Sequence, residues 1–219
     1  TFYFLVNRSN INYNLDINKE MNVKDQLDAL QAFIDQGWEV KNIEINAFAS
    51  PEGEESFNEG LSEKRSESGM KILKKIYKNL LKDDEATVKV ENPEEEYTIT
   101  SRGLGEDWNG FIKAVEASNL KDKSIVLNVV KSQTNPLQKE HEIRNMTLVY
   151  NEIADEILPP LRRVEFKVTC FEPKKTAEEI ANLAVNNPSE LSLKELIYAG
   201  TLTDDFNTKL QIYKSAADM

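Results

Sequence analysis

The residues best suited to bind a charged ligand lie where a predicted strand turns into a long predicted helix. Four of them sit at i, i+3, i+4 and i+7, on one side of the first helical turns: Asn58, Leu61, Ser62 and Arg65. Arg65 carries a planar fork of N–H donors that suits a carboxylate. The turn at residues 50–57 leads into a helix N-terminus, where free main-chain N–H groups favour an anion. This pattern predicts a small anion pocket, with a surface salt bridge of Arg65 as the alternative interpretation.

Hydrophobic periodicity predicts the elements that position these side chains. Residues 43–49 alternate between apolar and polar positions, which is typical of a strand with one buried face. The sequence Ser-Pro-Glu-Gly at residues 50–53 breaks this pattern as a turn. A long amphipathic helix is predicted over residues 56–82. Upstream, residues 2–12 predict a strand, and the helix that follows it is closed by Gly37.

Later segments complete the predicted sheet. Residues 86–91 predict a third short strand, so the N-terminal part runs β-α-β-α-β, and right-handed crossovers would put both helices on one face. Residues 107–160 predict a helical insertion, whose last long helix, residues 136–157, is stopped by two prolines. Residues 163–171 alternate cleanly and predict a fourth strand.

The C-terminal part has a different character. Residues 172–175 predict a linker, and two residue pairs after it have the spacing of a capping box, Thr176 with Glu179 and Ser192 with Glu195. The helices that they start resemble tetratricopeptide-type pairs in rhythm. Because such a repeat needs neighbours to bury its apolar face, we expect the native helical array to continue.

Together these elements predict an α+β fold in two domains. Residues 1–173 are expected to form a sandwich in which helices pack on one face of a mixed sheet of about four strands. The helical insertion over residues 107–160 interrupts this domain. Residues 174–219 are expected to form a small α-helical tail, interpreted as truncated tetratricopeptide-like repeats.

Composition narrows the classes of function. The 219 residues carry a formal net charge of −11, which disfavours nucleic acid and anionic lipid surfaces as partners. No apolar run approaches the ~20 residues that cross a bilayer. The single Cys170 excludes an internal disulfide, and the single His141, between Glu140 and Glu142, does not predict a metal site. Without a phosphate loop or a nucleophile elbow, we expect no catalytic residues and no cofactor.

Three separated stretches resemble the OmpA-like domain, found at the C-terminus of outer-membrane protein A and in peptidoglycan-associated lipoproteins. Residues 58–66 (NEGLSEKRS) are similar to the family motif N-x-x-L-S-x-x-R-A, with Ser66 in place of alanine. Residues 103–106 (GLGE) are similar to its G-x-G-E, and residues 162–165 (RRVE) resemble the end of its N-R-R-V-E. The matches occur in the family's order, and the resemblance covers about residues 2–171.

The resemblance implies non-covalent binding of peptidoglycan through the diaminopimelate of its peptide stem. It implies that Arg65 holds the ligand's carboxylate and that an aspartate holds its ammonium group. Ser50 stands at that aspartate position and cannot supply the negative charge. Either Glu52 supplies the charge, or the ligand is a differently modified peptide, or binding is lost. The expected ligand-binding residues are Arg65, Asn58, Ser50, Glu52, Leu61 and Phe48.

Two functions therefore stand as expectations. In the first, the domain anchors an outer-membrane or periplasmic protein to the cell wall of a Gram-negative bacterium, without chemistry. In the second, the domain has lost its ligand, and the inserted helices and the tail bind other envelope proteins as a scaffold. A cleft with Glu52 facing Arg65 would favour anchoring, whereas an Arg65 tied into a salt bridge would favour the scaffold.

Overall fold

The computed structural model describes residues 1–171 and 174–219, with the side chain of Leu148 left aside. The chain divides into two compact units, Thr1–Phe171 and Glu172–Met219. The first unit is α+β and is built on a four-stranded sheet, whereas the second is helical. Of the predicted linker at residues 172–175, the first two residues lie outside the described residues.

The sheet of the first unit is mixed, which agrees with the predicted α+β class. Its strands are β1 (Phe2–Tyr3), β2 (Val40–Ala49), β3 (Ile99–Glu106) and β4 (Arg163–Cys170), in the spatial order β1-β4-β2-β3. Strand β2 runs parallel to β3 and antiparallel to β4, and β4 is antiparallel to β1. The two central strands, β2 and β4, are the two whose alternation was clearest in the sequence.

The long helix of the first unit packs on one face of this sheet. The unit contains α1 (Asp16–Glu20), α2 (Val23–Asp35), α3 (Glu55–Lys82) and α4 (Pro93–Glu96). Every second residue of β2 from Ile43 to Ala49 is buried, as the alternation predicts. Of these side chains, Ile43, Ile45 and Ala47 belong to one apolar core. This core also contains Leu27 and Ile34 of α2 and Leu73 of α3. Helix α2 ends just before Gly37, whose φ of +70° suits a residue without a Cβ.

The insertion between β3 and β4 has an apolar core of its own. It contains α5 (Trp108–Ala117), α6 (Lys123–Ser132), α7 (Pro136–Asn145), α8 (Thr147–Glu152), a π-helical turn (Ile153–Ile157) and a 3₁₀ turn (Pro159–Leu161). Its core side chains include Phe111, Val126, Ile143 and Ile153. The single long helix predicted from Pro136 is wrong, because Met146 leaves helical geometry (ψ +61°) and separates α7 from α8.

Two predicted strands also differ from the structure. Strand β1 covers only Phe2–Tyr3 instead of residues 2–12, because side chains of α3, and not a neighbouring strand, bind the main chain that follows. The strand predicted at residues 86–91 is wrong, since these residues form no strand and two of their N–H groups donate to Asp35. The third strand is instead β3, which contains the Gly-Leu-Gly-Glu motif.

The second unit is a small group of helices, α9 (Ala177–Asn186), α10 (Leu193–Ala199) and α11 (Phe206–Ala217), with a 3₁₀ turn at Pro188–Glu190. Both predicted capping boxes are confirmed, at Thr176 with Glu179 and at Ser192 with Glu195. A small core joins the helices through residues such as Ile180, Leu196 and Ile212. Across residues 1–171 and 174–219, no helix combines the length and the apolar composition needed to cross a membrane.

Candidate binding site

The four residues at helical spacing lie on the buried face of α3. Asn58 is 2 % exposed, Ser62 is fully buried and Arg65 is 1 % exposed, while Leu61 belongs to the same buried row. The predicted shared side is therefore the side that packs against the rest of the domain. Each polar member of the motif fastens a different chain segment to the start of α3.

Arg65 binds main-chain oxygens of two segments. Its Nε donates to the carbonyl of Arg8 (3.0 Å), Nη2 to Leu5 (3.1 Å) and Nη1 to Phe48 at the end of β2 (2.8 Å). Burial lowers the pKa of Arg65 to about 10, and repulsion from Arg162 adds to this shift. Arg65 stays protonated at neutral pH and joins the segment after β1 to the helix and the sheet.

Asn58 and Ser62 hold the ends of β2 and β3. Asn58 Nδ2 donates to the Glu52 carbonyl (3.0 Å) and to the carboxylate of Glu106 (2.8 Å). Ser62 Oγ accepts a hydrogen bond from Gly105 N (2.9 Å). The first of the three family-like motifs thus binds the second. Burial raises the pKa of Glu106, whose carboxylate also accepts from Trp108 Nε1 (2.9 Å).

Ser50 and Glu52 form a compact polar cluster with Arg162, which precedes β4. The Glu52 carboxylate accepts from Ser50 Oγ (2.6 Å) and from Nε (2.9 Å) and Nη2 (2.7 Å) of Arg162. Arg162 Nε also lies 3.2 Å from Ser50 Oγ. Ser50 is 4 % exposed, whereas the side chains of Glu52 and Arg162 keep 17 % and 11 % of their surface. Glu52 therefore pairs with Arg162, and not with Arg65.

The Phe48 side chain contacts Arg163, the residue after Arg162. Its ring lies under the guanidinium of Arg163, 4.4 Å from the ring centroid, and only its carbonyl contacts Arg65. Arg163 pairs with Asp107 (2.7 Å), and Asp107 also accepts from Gly110 N to cap α5. The structure therefore brings Ser50, Glu52 and Asn58 together and places the Phe48 ring elsewhere.

The predicted anion position ahead of α3 is occupied by a carboxylate of the same chain. Glu140 of the inserted helix α7 accepts a hydrogen bond from Gly53 N, within the turn, and pairs with Arg144 (2.7 Å). Main-chain N–H groups ahead of a helix are favourable partners for a carboxylate. The Gly53 N–H is therefore bound by Glu140 of the same chain.

Two open clefts flank the start of α3. One, of about 530 Å³, is lined by four glutamates and a tryptophan, Glu55, Glu59, Glu63, Glu106 and Trp108, together with glycines and Leu104. The other, of about 450 Å³, lies against the segment after β1 and includes Arg8, Phe57, Leu61 and Lys64. Leu61, an expected ligand-binding residue, is thus at the wall of a cleft that Arg65 does not line.

Sequence reasoning missed three residues of this site. Arg162 and Glu106 each belong to a family-like motif, but neither was among the expected ligand-binding residues. Glu140 carried no signal, because a charged residue on a polar helix is ordinary and its partner lies 87 positions away. Within the described ranges, no His, Cys, Asp or Glu side chains group in a way that would hold a metal ion.

Comparison with known proteins found no family model, no curated protein and no solved structure that matches this chain.

Proposed function

We propose that residues 1–171 form an OmpA-like binding module that anchors an outer-membrane or periplasmic protein to peptidoglycan without catalysing a reaction. One observation carries the proposal: the three family-like motifs, far apart in sequence, meet at one end of the sheet. Asn58 of the first motif binds both the Glu52 carbonyl and Glu106 of the second, and Arg162 of the third pairs with Glu52. Polar residues gathered at one place from distant segments are typical of a ligand site.

The charges at this place suit the diaminopimelate end of the peptide stem, which has an ammonium group beside a carboxylate. Glu52 and Arg162 supply both signs and keep part of their surface accessible. An arginine fork binds a carboxylate through paired hydrogen bonds, and a carboxylate pairs with an ammonium group. In this proposal Arg162 takes the carboxylate and Glu52 supplies the negative charge that Ser50 lacks. Arg65 is a positioning residue that fixes the end of β2.

The acidic cleft beside the cluster adds to the proposal. Glu106 lines it and is bound to Asn58, so the cleft borders the same turn. Its carboxylates would attract the ammonium end of a zwitterionic ligand, because a cleft lined by charges of one sign concentrates their electric field. The protein would then act in the periplasm of a Gram-negative bacterium, in association with the outer membrane.

The scaffold function is favoured by a different observation. Arg65 donates three hydrogen bonds to carbonyls of its own chain, and Glu140 accepts the hydrogen bond of Gly53 N in the turn. The groups of the predicted pocket are therefore bound by the protein itself. In the second unit, the apolar residues Ile197, Tyr198 and Phe206 are between 47 % and 75 % exposed. In this alternative, the helical parts bind other envelope proteins and peptidoglycan is not a ligand.

Co-sedimentation with purified sacculi separates the two functions. We expect the native chain to sediment, and Glu52→Gln and Arg162→Gln each to weaken sedimentation by about tenfold or more, since each removes one charge-assisted contact. The exposed neighbours Glu54 and Arg102 provide matched controls, Glu54→Gln and Arg102→Gln, which should sediment like the native chain. The double variant Glu52→Gln/Arg162→Gln removes both charges without leaving either one buried and unpaired, so it should fold and still not bind.

If the native chain does not sediment while circular dichroism shows it folded, anchoring is overturned and the scaffold function gains support. Equal sedimentation of all variants would place the binding site elsewhere on the molecule.

A further inference from the structure

Two adjacent residues of α7, in the insertion, contact the turn and the start of α5. Glu140 accepts the hydrogen bond of Gly53 N, and Lys139 Nζ lies 5.2 Å from the centroid of the Trp108 ring. Trp108 donates a hydrogen bond to Glu106, and Glu106 accepts another from Asn58 at the start of α3. The α7 contacts thus reach both the turn and the acidic cleft beside it.

The attachment of α7 is mostly polar. Of its ten residues only Ile143 is buried, so little apolar surface holds this helix in place. Glu140 also pairs with Arg144 one turn later, whose side chain is 51 % exposed. At its C-terminal end Met146 leaves helical geometry, so α7 is not continuous with α8. A short helix held by polar contacts and bounded by breaks belongs to the less stable parts of a structure.

We propose that α7 is a displaceable cover of the binding site, in which the Glu140 carboxylate holds the Gly53 N–H that a carboxylate of the peptide ligand takes when α7 moves away. This inference rests on the proposed peptidoglycan-binding function and adds its regulation. The reason is chemical equivalence: Glu140 presents the same group as the ligand, to the same main-chain donor ahead of α3. Because only the open form binds, the apparent affinity is reduced by the fraction of molecules that are open.

The cover predicts that removing the Glu140 carboxylate strengthens ligand binding. We expect Glu140→Ala to lower the apparent Kd for purified sacculi by about tenfold if the cover is closed about nine-tenths of the time. The isosteric Glu140→Gln loses the charge but keeps an oxygen that accepts a hydrogen bond, so it should lower the Kd by a smaller factor. Glu142 is exposed on the same helix. Glu142→Ala and Glu142→Gln are therefore matched controls, which change the net charge equally and should bind like the native chain.

A second readout follows α7 directly. Hydrogen exchange of residues 136–145 should be faster in both Glu140 variants than in the native chain, and sacculi should speed it in the native chain. Thermal unfolding followed by circular dichroism checks that the variants remain folded. The isosteric Glu140→Gln keeps the helix surface nearly unchanged, so it guards against a folding defect in Glu140→Ala.

The outcomes separate the cover from the function on which it rests. Tighter binding by both Glu140 variants than by the native chain, with the Glu142 variants unchanged, supports the cover. Native sedimentation with no gain in the Glu140 variants overturns the cover and leaves anchoring in place, as does an equal gain in the Glu142 variants. If no variant sediments while all are folded, anchoring fails and the cover fails with it.

Discussion

The guanidinium of Arg65 donates a hydrogen bond of 2.8 Å to the main-chain oxygen of Phe48, and this bond joins α3 to the end of β2. The same side chain reaches the carbonyls of Leu5 and Arg8. A residue at the position where the OmpA-like resemblance expects a ligand contact thus satisfies three carbonyls of its own chain. We infer that its first role is to shape the turn that carries Ser50 and Glu52.

This role predicts a loss of stability when Arg65 is replaced. Arg65→Met removes the donors from three carbonyls in a buried setting, and we expect the free energy of unfolding to fall by about 3–5 kcal/mol. Ser68→Ala is a milder comparison, since it removes one hydrogen bond to the Ser9 carbonyl and should cost about 1 kcal/mol. Urea unfolding measures both. A stable Arg65→Met chain that no longer binds sacculi would instead assign Arg65 to the ligand.

Two glycines of α3 should respond in opposite directions to alanine. A Cβ on Gly69 would lie 2.6 Å from Ile45 Cγ2 and 2.7 Å from Val164 Cγ2, on stiff β-branched side chains of the sheet. We expect Gly69→Ala to lower the free energy of unfolding by about 1–3 kcal/mol, because overpacking outweighs the gain in helix propensity. A Cβ on Gly60 meets nothing within 4 Å, so Gly60→Ala should raise stability by up to about 1 kcal/mol. Thermal unfolding of the two variants tests this prediction, and equal changes in their stability would contradict this packing.

The ion pair between Asp107 and Arg163 should contribute more than an exposed pair. Their side chains are 9 % and 16 % exposed, and Asp107 also caps α5. A double-mutant cycle of Asp107→Ala and Arg163→Met should give a coupling free energy of about 1–3 kcal/mol. The exposed pair Lys19–Asp16, at 59 % and 90 % exposure, should give less than about 0.5 kcal/mol in the same cycle. Similar values for the two pairs would show that Arg163 is held by its other contacts.

Acid should weaken the second unit through Glu195. Hydrogen bonds from the main chain and side chain of Ser192, with Lys175 as a further partner, lower the pKa of Glu195 to about 2 from an ordinary 4.5. A lowered folded-state pKa gives stability that is fully present above about pH 4.5 and is lost as the pH falls toward 2. An NMR titration of the Glu195 carboxyl group should show a midpoint near this low value.

Two variants test the cause of that shift. Ser192→Ala removes one of the hydrogen bonds to the carboxylate and should raise the midpoint, and Lys175→Met should raise it by a smaller amount. An unshifted midpoint in the native chain would contradict the capping box as the source of the low pKa.

The elements with strong local patterns were predictable. The alternation in β2 and β4 and the long apolar row of α3 place these elements within a few residues of their bounds, because a period of two or of 3.6 is a property of neighbours in the chain. The capping boxes of α9 and α10 were predictable for the same reason, since each is a contact over three residues.

The elements without such patterns were not predictable. Strand β3 contains two glycines, which strands disfavour, yet Gly103 is suited to its place because a Cβ there would lie 2.4 Å from Glu63 N of α3. The segment after Tyr3 was predicted to continue the strand, but side-chain donors of Arg65 and Ser68 bind its carbonyls in place of a neighbouring strand. In both cases a partner distant in sequence decides the local conformation.

The sequence by itself determined the α+β class, the central strands and the motif helix, because each rests on periodic burial that neighbouring residues encode. The sequence also singled out Asn58 and Arg65 as candidate ligand-binding residues. Only the tertiary structure decided the partners of these side chains. Arg65 binds carbonyls, Glu52 pairs with Arg162, and Glu140 reaches Gly53, because hydrogen bonds and ion pairs depend on distances in space that no spacing along the chain specifies.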